Sequence, residues 1–234
     1  MLARERGFRA AWRFYRANFR SVVALSIVFY LAIVLFAAIS VAELGYFAIL
    51  PLLYLTIVSI FWLQAPLTRL MDDVRNGPGA GVRSTFAGLY PRLGSITGGT
   101  FMVGSAVFAT AWFFVLPGLF LLARWALFIP VIVLERKGAF AALGRSNALV
   151  RRHTARVMLE LVASTLYMFV VWSIAVGLLQ GITSPWVSIP ATVAFVAVVT
   201  PVIPLMRTLS YYDLCSRERL AADSPSAAAI ASET

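Results

Sequence analysis

Residues 21–43, SVVALSIVFYLAIVLFAAISVAE, run for 22 positions without a charge until Glu43. A bilayer core about 30 Å thick takes about 20 apolar residues as a helix, so this stretch reads as a membrane span. The rest of the chain has the same character. Hydrophobic residues make up 61% of it, against roughly 45–50% in a soluble domain, which excludes an ordinary water-soluble globule.

Working outward, five more runs of similar length appear, at 45–67, 96–116, 117–134, 157–180 and 186–206. Turn signals at Glu43-Leu44-Gly45, Pro117-Gly118 and Gly181 to Pro185 pair them into three tight hairpins. The expected fold is an all-α integral membrane protein of six transmembrane helices, with cytoplasmic amphipathic helices lying in the interface. Residues 1–20 form an amphipathic N-terminal helix, 21–206 the membrane domain and 207–234 a cytoplasmic tail, disordered from about 221.

Charge gives the orientation. The chain has 20 Lys or Arg, 10 Asp or Glu and a net charge of +10. Nineteen of the bases lie before the first span, between the second and third, between the fourth and fifth, or after the sixth, and the three opposite turns hold none. Basic residues near span ends stay in the cytoplasm, so both termini are predicted to be cytoplasmic, in a bacterial inner membrane. Because the bases are parcelled out between spans, the high pI points to lipid rather than nucleic acid.

Two basic segments carry the candidate lipid contacts. Phe8, Trp12, Tyr15 and Phe19 recur at helical spacing, with Arg9, Arg13, Arg16 and Arg20 one position later. Such a helix suits the interface, rings at headgroup depth and guanidinium groups on lipid phosphates, although the same aromatics could pack on the protein's own helices. The second segment holds Arg136, Lys137, Arg145 and Arg152, with Ser146 and Asn147 available to bind a head group or to cap neighbouring backbone. The loop that begins at Arg69 contains Asp72 and Asp73, but adjacent carboxylates point to different sides of a helix and have no third ligand nearby. No metal or cofactor is expected.

Inside the spans, Arg124 is the one base. A central Arg costs about 2.5–3.5 kcal/mol, and the apolar residues between Leu119 and Leu134 return roughly 3–7 kcal/mol, so the span still inserts. Arg124 is expected to snorkel outward or to pair with Glu43, or else to meet an anionic substrate in a cavity. Glu160 lies about one turn into the fifth span. Gly98, Gly99, Gly104 and Ser105 mark the third span as one that packs closely inside the bundle. Pro51, Pro130, Pro190, Pro201 and Pro204 could interrupt helices as transporters do, although membrane helices tolerate proline generally. A weak threefold pattern, basic segment then hairpin then acid followed by bases, exits at Asp73, Glu135 and Asp213.

Catalytic chemistry is thin: one His, one Cys and one Lys, with no HExxH, GxSxG or phosphate-cradling glycine motif. A non-enzymatic protein is the reading, its partners membrane lipids, with a protein partner or homo-oligomer left open.

Leu116-Pro117-Gly118, Arg124-Trp125-Ala126-Leu127, Pro130 to Glu135 and Gly144 to Val150 together resemble the glycerophosphoryl diester phosphodiesterase membrane-domain family. Residues 12–19 and 61–77 are similar to its stand-alone actinobacterial members. The resemblance implies a multi-helix membrane module and no hydrolysis, because the catalytic domain of fused members has no counterpart here. Three roles follow as expectations: a lipid-engaging scaffold, organiser or anchor; a permease-like subunit for a lipid or small amphiphile; and an accessory subunit of a phosphodiesterase.

Overall fold

In an apolar run of this length the backbone polar groups have no water to bond, and helix is the only local conformation that pairs them all within one segment. The structure, a computed structural model, describes residues 7–76, 82–113, 115–182 and 184–222. Among these, every regular element is helical: α1 Gly7–Ala17, α2 Phe19–Leu44, α3 Ile49–Asn76, α4 Val82–Leu89, α5 Leu93–Phe113, α6 Val115–Arg124, α7 Phe128–Glu135, α8 Ala139–Arg151, α9 Thr154–Gly181, α10 Pro185–Val199 and α11 Val202–Ala222. Short 3-10 turns occupy Gly45–Ala48 and Tyr90–Arg92. Five stretches are long and apolar enough to cross a bilayer: Phe19–Ala37, Val82–Thr110, Pro117–Glu135, Thr154–Gly181 and Trp186–Leu220. That suits an all-α membrane protein.

The turn after α2 falls at Gly45, whose φ of +55° is a conformation that glycine adopts without steric penalty. Elsewhere the elements depart from expectation. The run 117–134 is two helices, interrupted at Trp125–Leu127, and 186–206 is interrupted at Thr200–Pro201. The expected turn at Pro117-Gly118 is instead the first turn of α6, where the missing N–H of proline has no partner to lose. Arg69 to Asn76, read as loop, continues α3 straight through Pro66, and 207–222 of the supposed tail is helix. The glycine-rich stretch 77–81 and the expected disorder beyond residue 222 lie outside the described residues.

Packing follows a cyclic rule. The units 7–76, 82–135 and 139–222 each consist of a short helix followed by two long runs. Within them α2 packs on α3, α5 on α6 and α9 on α10. Between them the short helices α4, α8 and α1 pack on α3, α7 and α11, the closing runs of the preceding units, with α1 completing the circle. Similarly α5 packs on α3, α9 on α6 and α2 on α10. The weak threefold pattern of basic segments and acidic exits therefore corresponds to a repeated packing arrangement.

The buried core gathers toward the arginine-bearing ends. One cluster surrounds α7, whose Phe128, Ile129, Val131, Ile132 and Val133 are all buried, with Ile96 and Val103 of α5 and Leu143 of α8. The other joins Ala10, Ala11, Phe14 and Tyr15 of α1 to Val22, Leu67, Leu70, Leu205 and Leu209. Toward the opposite ends the side chains turn outward: Leu31, Leu35, Phe36, Leu166, Phe169, Trp172 and Trp186 are all exposed. So large an apolar surface requires an apolar solvent.

Candidate functional site

The two helix interruptions are where the backbone needs outside partners. At the first, the Phe128 N–H bonds Trp125 O at 3.1 Å instead of its helical acceptor Arg124 O. The hydroxyl of fully buried Ser146, on α8, fills the gap. It donates to Arg124 O at 2.9 Å and accepts from the Leu127 N–H at 3.2 Å. The adjacent Asn147 Oδ1 accepts from Arg124 Nη1 at 2.6 Å, and the guanidinium lies 4.8 Å over the ring of Phe120. Ser146 and Asn147 are thus used on backbone and on Arg124. The expected pairing of Arg124 with Glu43 is not what forms: Glu43 is exposed at the end of α2, and Asn147 takes the guanidinium instead.

At the second interruption Pro201 and Pro204 bring no N–H, and the Ile203 N–H turns to Thr200 O at 3.2 Å, bypassing Val199 O. Three tyrosines from three helices close the gap. Tyr15 of α1 donates to Val198 O at 2.7 Å, Tyr167 of α9 to Val199 O at 2.7 Å, and Tyr30 of α2 to the Thr200 hydroxyl at 2.7 Å. Tyr15 is therefore a buried strut, and the aromatic stripe expected on α1 is divided. Trp12 and Phe19 stay 44% exposed, while Phe14 and Tyr15 face the core.

The three exit segments meet around α11, which carries Asp213 itself. Adjacent Tyr211 and Tyr212 reach the other two, Tyr211 OH donating to Glu135 at 2.9 Å and Tyr212 OH to Asp72 at 3.2 Å, while the expected exit acid Asp73 pairs with Arg69 at 3.0 Å instead. Arg145 holds Glu218 through both terminal nitrogens, at 2.8 and 2.5 Å, and Glu135 at 3.2 Å. These carboxylates, Glu218 foremost, raise the pKa of the Arg145 guanidinium above its ordinary value. Lys137 pairs with Glu135 at 2.8 Å. Two of the bases assigned to lipid, Arg145 and Lys137, are thus already used inside the protein. Arg9, Arg16, Arg20, Arg136 and Arg152 are exposed and without hydrogen-bond or ion-pair partners among the described residues, and Arg13 is exposed.

Sequence reasoning missed two features. Arg83 with Phe86 and Tyr90, on and just after α4, repeats the exposed base-and-aromatic pairing of α1, and the α8 segment repeats it again with Arg136 and Phe140. The spacing of Arg83 and Phe86, three apart on one helix, was the available signal. The second is Arg207, counted with the cytoplasmic bases but lying against a crevice between α9 and α11. Its Nη1 is shut off from solvent and without a partner. Glu160 lines the same crevice, its oxygens accepting from Arg156 at 3.2 Å and Ser210 at 2.6 Å.

No family model, no curated protein and no solved structure matches the chain.

Proposed function

We propose that this is a non-enzymatic bacterial inner-membrane protein of six spans, arranged as three hairpins with both termini cytoplasmic, that engages anionic lipid through its three short helices and serves as a scaffold, membrane organiser or partner anchor. The observation carrying this is the recurrence of one surface device. Arg9 and Arg16 with Trp12 on α1, Arg83 with Phe86 and Tyr90 at α4, and Arg136 with Phe140 at α8 each set exposed guanidinium beside exposed aromatic. Rings of this kind settle at headgroup depth, and each nearby base adds about 1 kcal/mol of attraction to an anionic surface. The cyclic packing of the short helices supports a concerted grip at three points.

The resemblance to the glycerophosphoryl diester phosphodiesterase membrane domain adds support for a membrane module. The residues carrying it include Arg124, Ser146 and Asn147, which close the first helix interruption and so read as architecture.

The test is lipid selection by the full chain in nanodiscs of phosphatidylcholine with increasing phosphatidylglycerol. The wild type is expected to enrich the anionic lipid around itself. Arg9→Glu, Arg16→Glu and Arg20→Glu together reverse three charges and should weaken that selection, by up to about a hundredfold at low salt. Unchanged enrichment in the triple variant would remove the main support.

A permease-like role has one specific observation in its favour. Ala126 and Leu127 of the first interruption and Ile203 and Arg207 beside the second line the same crevice, and interrupted helices facing a cavity are how transporters build midplane sites. It predicts lipid flux in liposomes, lost in Arg124→Leu.

A further inference from the structure

We propose that the crevice at Arg207 is an oxyanion site that takes one oxygen of a phosphate group, from free phosphate or from a phospholipid head group. Its walls are Glu160 and Ser164 of α9, Met206 and Arg207 of α11, and Ala126 and Leu127 at the first helix interruption. Its volume is about 20 Å³, room for one water-sized atom group, hence for a single oxygen with the rest of the phosphate outside.

The charge balance selects an anion. Arg207 makes no hydrogen bond or ion pair among the described residues, its Nη1 is shut off from solvent, and the ring of Phe61 lies 5.9 Å from the guanidinium carbon. A guanidinium N–H withdrawn from water without an acceptor is costly, and basic groups at such depth in membrane proteins commonly mark a ligand path. Glu160 attracts Arg207 across the crevice, but its carboxylate is shared with Arg156 at 3.2 Å and Ser210 at 2.6 Å. Arg156 is in turn held by Asp213 at 2.6 Å. Asp213 also takes Arg217 at 3.1 Å, so the guanidiniums of Arg156, Arg207 and Arg217 share two carboxylates and one positive charge is in excess.

Depth favours a phosphate. Glu160 lies six residues past Thr154, the first residue of α9. At 1.5 Å per residue that is about 9 Å along the helix, a depth adjoining the headgroup layer. The links Arg156–Asp213 and Glu160–Ser210 bridge α9 and α11 beside the crevice.

The test follows thermal unfolding of the full chain in uncharged detergent, titrated separately with inorganic phosphate, phosphatidylglycerol and phosphate-free diacylglycerol. The wild type is expected to gain stability with a phosphate-bearing probe and none with diacylglycerol. A response to inorganic phosphate identifies a free-anion site, and a response to phosphatidylglycerol alone identifies a headgroup site. Arg207→Met removes the excess charge and the unsatisfied Nη1 while keeping an apolar stem, so it should unfold no earlier than wild type in the absence of probe and should bind at least tenfold more weakly. Ser164→Leu fills the crevice while keeping Arg207, and should lose the response too. The proposal is overturned if no phosphate probe stabilises the wild type, or if both variants respond as wild type does. If the response is lost in the Arg9, Arg16 and Arg20 reversal but kept in Arg207→Met, it belongs to the α1 surface. That outcome overturns this proposal and leaves the lipid-engagement reading standing.

Discussion

Ser146 shows how one side chain can hold a helix interruption together. Fully buried, it satisfies both a carbonyl and an N–H that the break leaves over. Ser146→Ala strands both groups and should lower stability by about 1–3 kcal/mol in a reversible unfolding assay. Ser173→Ala makes the control. Its exposed hydroxyl only back-bonds to Phe169 O, and its loss should stay within about 0.5 kcal/mol. A loss at Ser146 no larger than that at Ser173 would contradict the assigned role. At this scale the sequence was a partial guide. The capacity of Ser146 and Asn147 to cap backbone was legible from their side chains. That the backbone was 19 or more residues away, at Arg124 and Leu127, was not, because no local pattern encodes such a separation. The crevice at Arg207 was out of reach for a related reason. Arg207 stands at the edge of an apolar run, where a topology signal would stand, and the α9 residues that share its crevice are more than 40 positions away in sequence.

Among the elements, the apolar runs translated directly into helices, because length and hydropathy suffice to specify a helix in lipid. The interruptions did not. Pro66 and Pro190 lie within unbroken helices, while Pro201 sits at a break, so proline alone does not decide. The tyrosines of α1, α2 and α9 help to fix the second break by bonding the groups it frees. The close approach of α5 to α7 was better signalled by its small residues. A Cβ on Gly99 would lie 3.1 Å from Phe128 and 3.4 Å from Ile132, whereas one on Gly98 would meet nothing within 4 Å. Gly99→Leu should therefore destabilise by about 1–3 kcal/mol through overpacking, and Gly98→Leu should fold normally. Equal thermal stability of the two variants would count against the α5–α7 contact.

Over the whole molecule, the proposed topology puts the net charge of +10 on one side. In the proposed topology the bases, the exposed aromatics of the three short helices and most of the tight packing share the cytoplasmic face, and a sparsely packed apolar half faces lipid beyond it. Every step of the lipid-engagement reading rests on that one-sidedness. The most direct test is sided labelling of single cysteines in intact cells, in a Cys215→Ser background. Thr183→Cys is predicted to react with a membrane-impermeant maleimide from outside, and Gly138→Cys only after permeabilisation. Reaction of Gly138→Cys in intact cells, with Thr183→Cys protected, would contradict the account.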